Sequence, residues 1–219
     1  MICVSLGTSM SISTYSELQT AVANWLNRDT LTSRIPEFIT LAEARIARKL
    51  RVTGMEARDT SITTVAGTEY YTLPSDYLEM RNIQLNTNPR QRLKYRTPEQ
   101  LDTEYPTTTT GVPTIYTIIG TELQLRPIPA AANTLEIAYY KKLAALSSSN
   151  TTNWFTANAP DLLLYGALIE AEPFLYNDAR IAIWKGLFDQ SIAEWNLQAD
   201  RARHSGSALV IRQEVSEND

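Results

Sequence analysis

Residues 68–80 read TEYYTLPSDYLEM, and the reading of this stretch decides the fold. Strand-forming aromatics lead to Leu73, a proline follows, and a short acidic run returns at once to apolar residues. Pro74 disfavours helix at the residue before it and cannot donate to a ladder, so the stretch is a strand end turned by proline. The sequence on both sides of it is written in helical period. The expectation is an α+β protein, an antiparallel helical bundle of about four main helices with an inserted β-rich module and a flexible C-terminal tail.

Outward from this stretch, a period of two governs residues 60–142. Tyr71 and Leu73, Ile83 and Leu85, Leu93 and Tyr95, Leu123 and Leu125, and Leu135, Ile137 and Tyr139 alternate with polar neighbours, as half-buried strands do. Turn residues separate these pairs at Gly67-Thr68, Asn86 to Pro89 and Gly120-Thr121. TIIGTELQLRP reads as a hairpin turning at Gly120 and Thr121, with Pro127 ending the pairing. Thr97, Pro98 and Gln100 cap a short helix inside the region.

Residues 14–59 and 143–204 supply the two parts of the bundle. Thr14 and Glu17 stand at capping-box spacing and open a first helix, with Leu18, Val22, Trp25 and Leu26 on one face. A second helix is written by Ile35, Phe38, Ile39, Ala42, Ile46 and Leu50, with Pro36 in its first turn. Arg45, Arg48, Lys49 and Arg51 crowd its far end, where cations complement the macrodipole. The same four are the candidates for a channel or partner contact. After a polar linker, Pro160 and Asp161 open a helix striped by Leu164, Leu168, Ala171 and Leu175 and thickened by Leu163, Tyr165 and Ile169, which Pro173 kinks or ends. Asn177 or Asp178 then caps a last helix carrying Ile181, Trp184, Phe188, Ile192 and Trp195 on one stripe. The expected bundle core is Leu18, Trp25, Phe38, Ile46, Leu164, Leu168, Trp184, Phe188 and Trp195. Residues 1–13 read as a disordered or upstream extension, with Met10 the more natural start. Residues 205–219 read as a tail unable to bury enough surface to fold alone.

The 219 residues carry a net charge of −4, which argues against a dedicated duplex-binding protein, since phosphate neutralisation needs clustered cations. Cys3 and His204 are the single copies of their types, so one chain can form neither a disulfide framework nor a Cys/His zinc site. Imidazole catalysis has only His204 to draw on, at a helix end, and no nucleotide loop or HExxH motif occurs; no cofactor is expected. No apolar run approaches the ~20 residues of a membrane span, and the opening residues lack a secretory n-region, so a soluble, cytoplasmically made protein is expected. Carboxylate chemistry asks only for two suitably spaced acids. Asp76, Glu79, Glu99, Asp102 and Glu104 are candidates by location, with solvated surface as the plainer reading, and Glu170 and Glu172 face different ways on their helix.

Taken in order, the two helices, GTEYYTLPSDYLEM, GVPTIYTIIGTELQLRPIP, LEIAYYKKLAAL and NAPDLLLYGALIEAEPFL resemble the head-to-tail adaptors of short-tailed phages, also called head completion proteins or tail accessory factors. The resemblance runs from about Thr14 to Arg203. It implies a structural virion protein with no catalytic step, present as a dodecamer docked on the portal protein ring at the head-tail junction. Such a collar extends the DNA channel, touches packaged DNA only transiently and non-specifically, and offers a shelf to tail nozzle or tail-fibre proteins. It is assembled in the host cytoplasm and involves no membrane. The family's use of its C-terminal segment on the portal puts that role on Leu209, Val210, Ile211 and Arg212. Two other readings compete: a virion-associated peptidoglycan hydrolase using a carboxylate pair, and a glycan-binding β-module on a helical stalk.

Overall fold

The computed structural model describes residues 12–175 and 180–204. The fold is mixed α+β and divides into two compact units, one built from residues up to Gly54 and from Ala144 onward, the other spanning Met55–Leu143. Six helices are described: α1 (Tyr15–Leu26), α2 (Ile35–Lys49), α3 (Pro98–Glu104), α4 (Trp154–Asn158), α5 (Pro160–Leu175) and α6 (Ile181–His204). All but α3 belong to the first unit. Asn177 and Asp178, read as caps of the last helix, lie outside the described residues. So do Leu209, Val210, Ile211 and Arg212 and nearly all of the expected N-terminal extension.

In the first unit, α1 opens as its sequence dictates. Thr14 accepts from the Glu17 amide, and the Glu17 carboxylate accepts in return from the Thr14 amide. Ser13 joins this cap through its amide and hydroxyl. Hydrogen bonds from serine and threonine hold the Glu17 carboxyl below its usual range. α5 is the hub of the unit, packed against α1, α2, α4 and α6. Leu162, Leu163, Leu164, Ala167, Leu168, Ile169 and Ala171 are all buried on it, which is more than one stripe and is what a helix enclosed by its neighbours requires. Gly166 lets α2 come close: a Cβ there would lie 2.9 Å from Ala42 Cβ and 3.4 Å from the Phe188 ring. Pro173 sits inside the helix, which continues to Leu175.

Of the expected core residues, Leu18, Phe38, Ile46, Leu164, Leu168, Trp184 and Phe188 are buried. Trp25 is not, at 46% exposed. It lies in the last turn of α1 at the border of the stripe, where the edge of Tyr165 meets it. Trp195 is half-buried, because it meets the Trp154 indole at 5.2 Å instead of a helix core. A side chain at Gly54 would collide with that same Trp154 ring, so glycine is what allows the indole its place.

The second unit holds ten strands: β1 (Glu56–Asp59), β2 (Tyr70–Thr72), β3 (Tyr77–Leu85), β4 (Gln91–Arg92), β5 (Lys94–Tyr95), β6 (Thr110–Gly111), β7 (Ile115–Ile119), β8 (Glu122–Arg126), β9 (Ile128–Pro129) and β10 (Leu135–Lys141). They form two four-stranded sheets, β1-β10-β3-β4 and β2-β8-β7-β5, and a small β6-β9 pair. One cluster of alternating residues from both large sheets makes the core, among them Tyr71, Ile83, Leu85, Leu123, Leu125, Leu135 and Ile137. The β7–β8 hairpin turns at Gly120, whose φ of +62° suits a residue without a Cβ. Thr97 and Gln100 form the capping box of α3.

β1 begins before residue 60 and shows no apolar alternation. It is an edge strand pairing only with β10, and charged side chains are suited to an edge that must not recruit another strand. Its pairing matters for the topology: Glu56 lies opposite Tyr140, so the first and last strands of the unit are neighbours and the chain enters and leaves at one place. Tyr95 also departs from the expected alternation and is 53% exposed.

Two phenols in this unit titrate late. Burial pushes Tyr77 up to about 12. Burial, followed by its hydrogen bond to Asp76 Oδ1 (2.8 Å), does the same to Tyr139. Below about pH 10 both phenols are protonated in either state, so their contribution to stability is complete and does not change with pH. Above that pH the unfolded chain binds fewer protons, and stability falls until the folded phenols ionise near 12. Unfolding followed across alkaline pH should therefore show loss of stability from about pH 10 upward. Substituting Tyr77→Phe together with Tyr139→Phe should flatten that slope; an unchanged slope would contradict the assignment.

Candidate functional site

The cations expected to face a channel or partner are mostly engaged within the first unit. Arg45 on α2 pairs with Glu170 on α5. Lys49 reaches Asp189 on α6 at 2.9 Å and lies 5.6 Å from the centre of the Phe188 ring. Arg51 donates to the Ala47 and Leu50 carbonyls, tying off the end of its own helix. Asn196 secures the same end from α6, accepting from the Arg51 amide and donating to the Lys49 carbonyl. Arg48 is exposed and has no ion pair among the described residues. The cluster is therefore first a seam joining α2, α5 and α6.

The carboxylates are placed in the same manner. Asp76 accepts from Tyr139, Glu104 from Arg96 and Glu170 from Arg45, while Glu172 is buried. Among the described residues no group of three His, Cys, Asp or Glu side chains is arranged to hold a metal ion. No described helix is long and apolar enough to cross a membrane.

Two surfaces remain open. On α6, Ile183, Leu187 and Leu197 are exposed large apolar side chains; at helical pitch they fall within an arc of about 80° that also holds the hydrogen-bonded Gln190 and Glu194, and the buried Trp184, Phe188 and Ile192 are centred about 140° away. Leu41 on α2 and Trp25 on α1 are exposed as well.

The other surface is a groove of about 420 Å³ in the second unit, lined by Arg81 of β3, Arg92, Lys94 and Arg96 from the β4–β5 segment, and the rings of Tyr95 and Tyr116. It forms because the chain crosses from one sheet to the other at Leu93, whose amide bonds Ile83 before Lys94 and Arg96 bond the Thr114 and Tyr116 carbonyls. β4 and β5 are the outer strands of their sheets. The rings of Tyr95 and Tyr116 meet edge-on at 5.6 Å. Burial raises the Tyr116 phenol, Tyr95 adds to this, and the charge of Arg92 opposes it. The sequence signal for this groove is plain once the topology is known: residues 80–98 hold five cations and no acid. Attention to the helix-end cluster and to the overall negative charge hides it.

Comparison with known proteins supplies the family. No curated protein matches the chain. The family model described as SU10 adaptor protein matches residues 13–212. On that match the chain belongs to the SU10 adaptor protein family, and so to the structural adaptors of phage virions.

Proposed function

We propose that the chain is a ring-forming adaptor that docks on the portal, extends the DNA channel and presents its β-unit to tail nozzle or tail-fibre proteins, with no catalytic step. The observation that carries this reading is the exposed apolar side chains Ile183, Leu187 and Leu197 on one face of α6. Ile183 and Leu187, one turn apart on this face, give the exposed apolar surface that a protein contact uses, and in a closed ring every copy covers that of its neighbour. The four long helices, α1, α2, α5 and α6, form the bundle that makes the ring, in the order 14–59 and 143–204. Arg48 is the helix-end cation left for a neighbour or for passing DNA.

Residues 205–219 carry the portal contact. Leu209, Val210 and Ile211 have strand propensity and follow the sequence Ser-Gly-Ser, so they suit addition to a sheet edge or a groove on a partner. Arg212 adds a charge-assisted bond to a portal carboxylate. Ordering such a segment takes roughly 2 to 5 kcal/mol from the gross binding energy, so strong docking needs many copies on one ring. Co-sedimentation with a purified portal ring tests this. The full chain should pellet with the portal, whereas a chain ending at Ser205 should keep its thermal midpoint and stay in solution. Docking by the shortened chain would move the portal contact onto the helices.

A further inference from the structure

We propose that the groove between β3 and the β4–β5 segment binds an extended acidic peptide segment of a partner protein, one with Asp or Glu at alternate positions. The charge pattern selects this occupant. Of the four cations that line the groove, Arg81 already holds Glu56 and Arg96 holds Glu104, so these two are neutralised by carboxylates. Arg92 and Lys94, the other two, are exposed and have no ion pair among the described residues. They are two residues apart on extended chain, which separates their side chains by about 6.6 Å on one side of the segment. Carboxylates at i and i+2 of a second extended strand have the same spacing.

Backbone geometry points the same way. Lys94 and Arg96 donate their amides to the Thr114 and Tyr116 carbonyls, so the Tyr95 amide between them faces away from β7, on the open side of the sheet. An added strand would find a backbone donor there and two cations beside it, which is recognition by strand addition with charge supplying the register. The Tyr95 and Tyr116 rings provide an apolar wall for an uncharged side chain between the two acids. A nucleic acid backbone fits less well, because Glu56 and Glu104 already occupy two of the four lining cations and their charge opposes a run of phosphates longer than two.

This inference stands on the groove and needs no ring, so its failure and that of the portal reading are separable. The test is fluorescence anisotropy on the full chain with a labelled eight-residue peptide of alternating Glu and Thr. The matching Gln-Thr peptide and a DNA duplex of like length serve as comparisons. The Glu-Thr peptide should bind saturably, weaken with added salt, and bind an Arg92→Glu, Lys94→Glu variant at least about tenfold more weakly, two exposed attractions having become repulsions. Since both residues are exposed, the variant should keep the parent thermal midpoint, and it should gain affinity for a Lys-Thr peptide. Equal binding by parent and variant, no saturable binding of the Glu-Thr peptide, or a preference for the duplex would each overturn the proposal.

Discussion

Replacing Phe188 with alanine is expected to lower the stability of the helical unit by about 3 to 5 kcal/mol, the range for removing a fully buried aromatic ring. Phe188 is 1% exposed and is among the largest fully buried side chains. It faces α5 at Gly166, where the close approach of α2 leaves little freedom for the site to collapse around a void. The same ring lies beneath the Lys49 ammonium, so the substitution also removes a cation–π contact from the seam joining α2 to α6. Chemical denaturation reads the loss directly. The control is Ile183→Ala on the exposed face of α6, expected to stay within about 0.5 kcal/mol of the parent. A Phe188→Ala midpoint equal to that of the parent would mean that α6 does not pack on α5 as described.

Glu69→Ala is expected to destabilise the β-unit by about 3 kcal/mol or more, for a different reason. The Glu69 carboxylate accepts from Arg126 Nη2 at 2.7 Å and from the Gln124 amide, and the two charged side chains are 17% and 10% exposed. Arg126 and Gln124 lie on the face of β8 opposite the core residues Leu123 and Leu125. Nε and Nη1 of Arg126 are buried without a hydrogen-bond partner among the described residues, so Glu69 is the group that compensates its charge. Removing it leaves an uncompensated guanidinium, which is worse than having no ion pair there. The double variant Glu69→Ala, Arg126→Met should therefore be more stable than Glu69→Ala alone. Losses that simply add would contradict this account of the pair.

Local signals in the sequence are legible where a physical rule acts over a few residues. The capping boxes at Thr14 and Thr97, the turn at Gly120 and the alternation of Leu123, Leu125, Leu135 and Ile137 are such cases, since each is decided by neighbouring backbone groups or by strand pleat. Burial at the border of a stripe is decided by what lies opposite. Trp25 and Trp195 share a helical period with core residues, yet the first meets one tyrosine edge and the second a tryptophan from α4, and no pattern along the chain contains that information. β1 escapes because an edge strand is not required to alternate.

The charged groups show the same division. Arg45, Lys49 and Arg51 at one helix end look like a surface cluster, but Glu170, Asp189 and the last carbonyls of α2 lie far away in sequence or belong to the backbone, and only the fold brings them together. Conversely, the run of cations over residues 80–98 becomes a site only because the chain changes sheets at Leu93 and leaves two short outer strands side by side.

The measurement closest to the central claim is electron-microscopic imaging of the full chain mixed with a purified portal ring. The account predicts a closed collar on one end of the portal, with the symmetry of twelve copies and continuous with its channel. Bare portal rings beside free chain, at concentrations where both are folded, would contradict it.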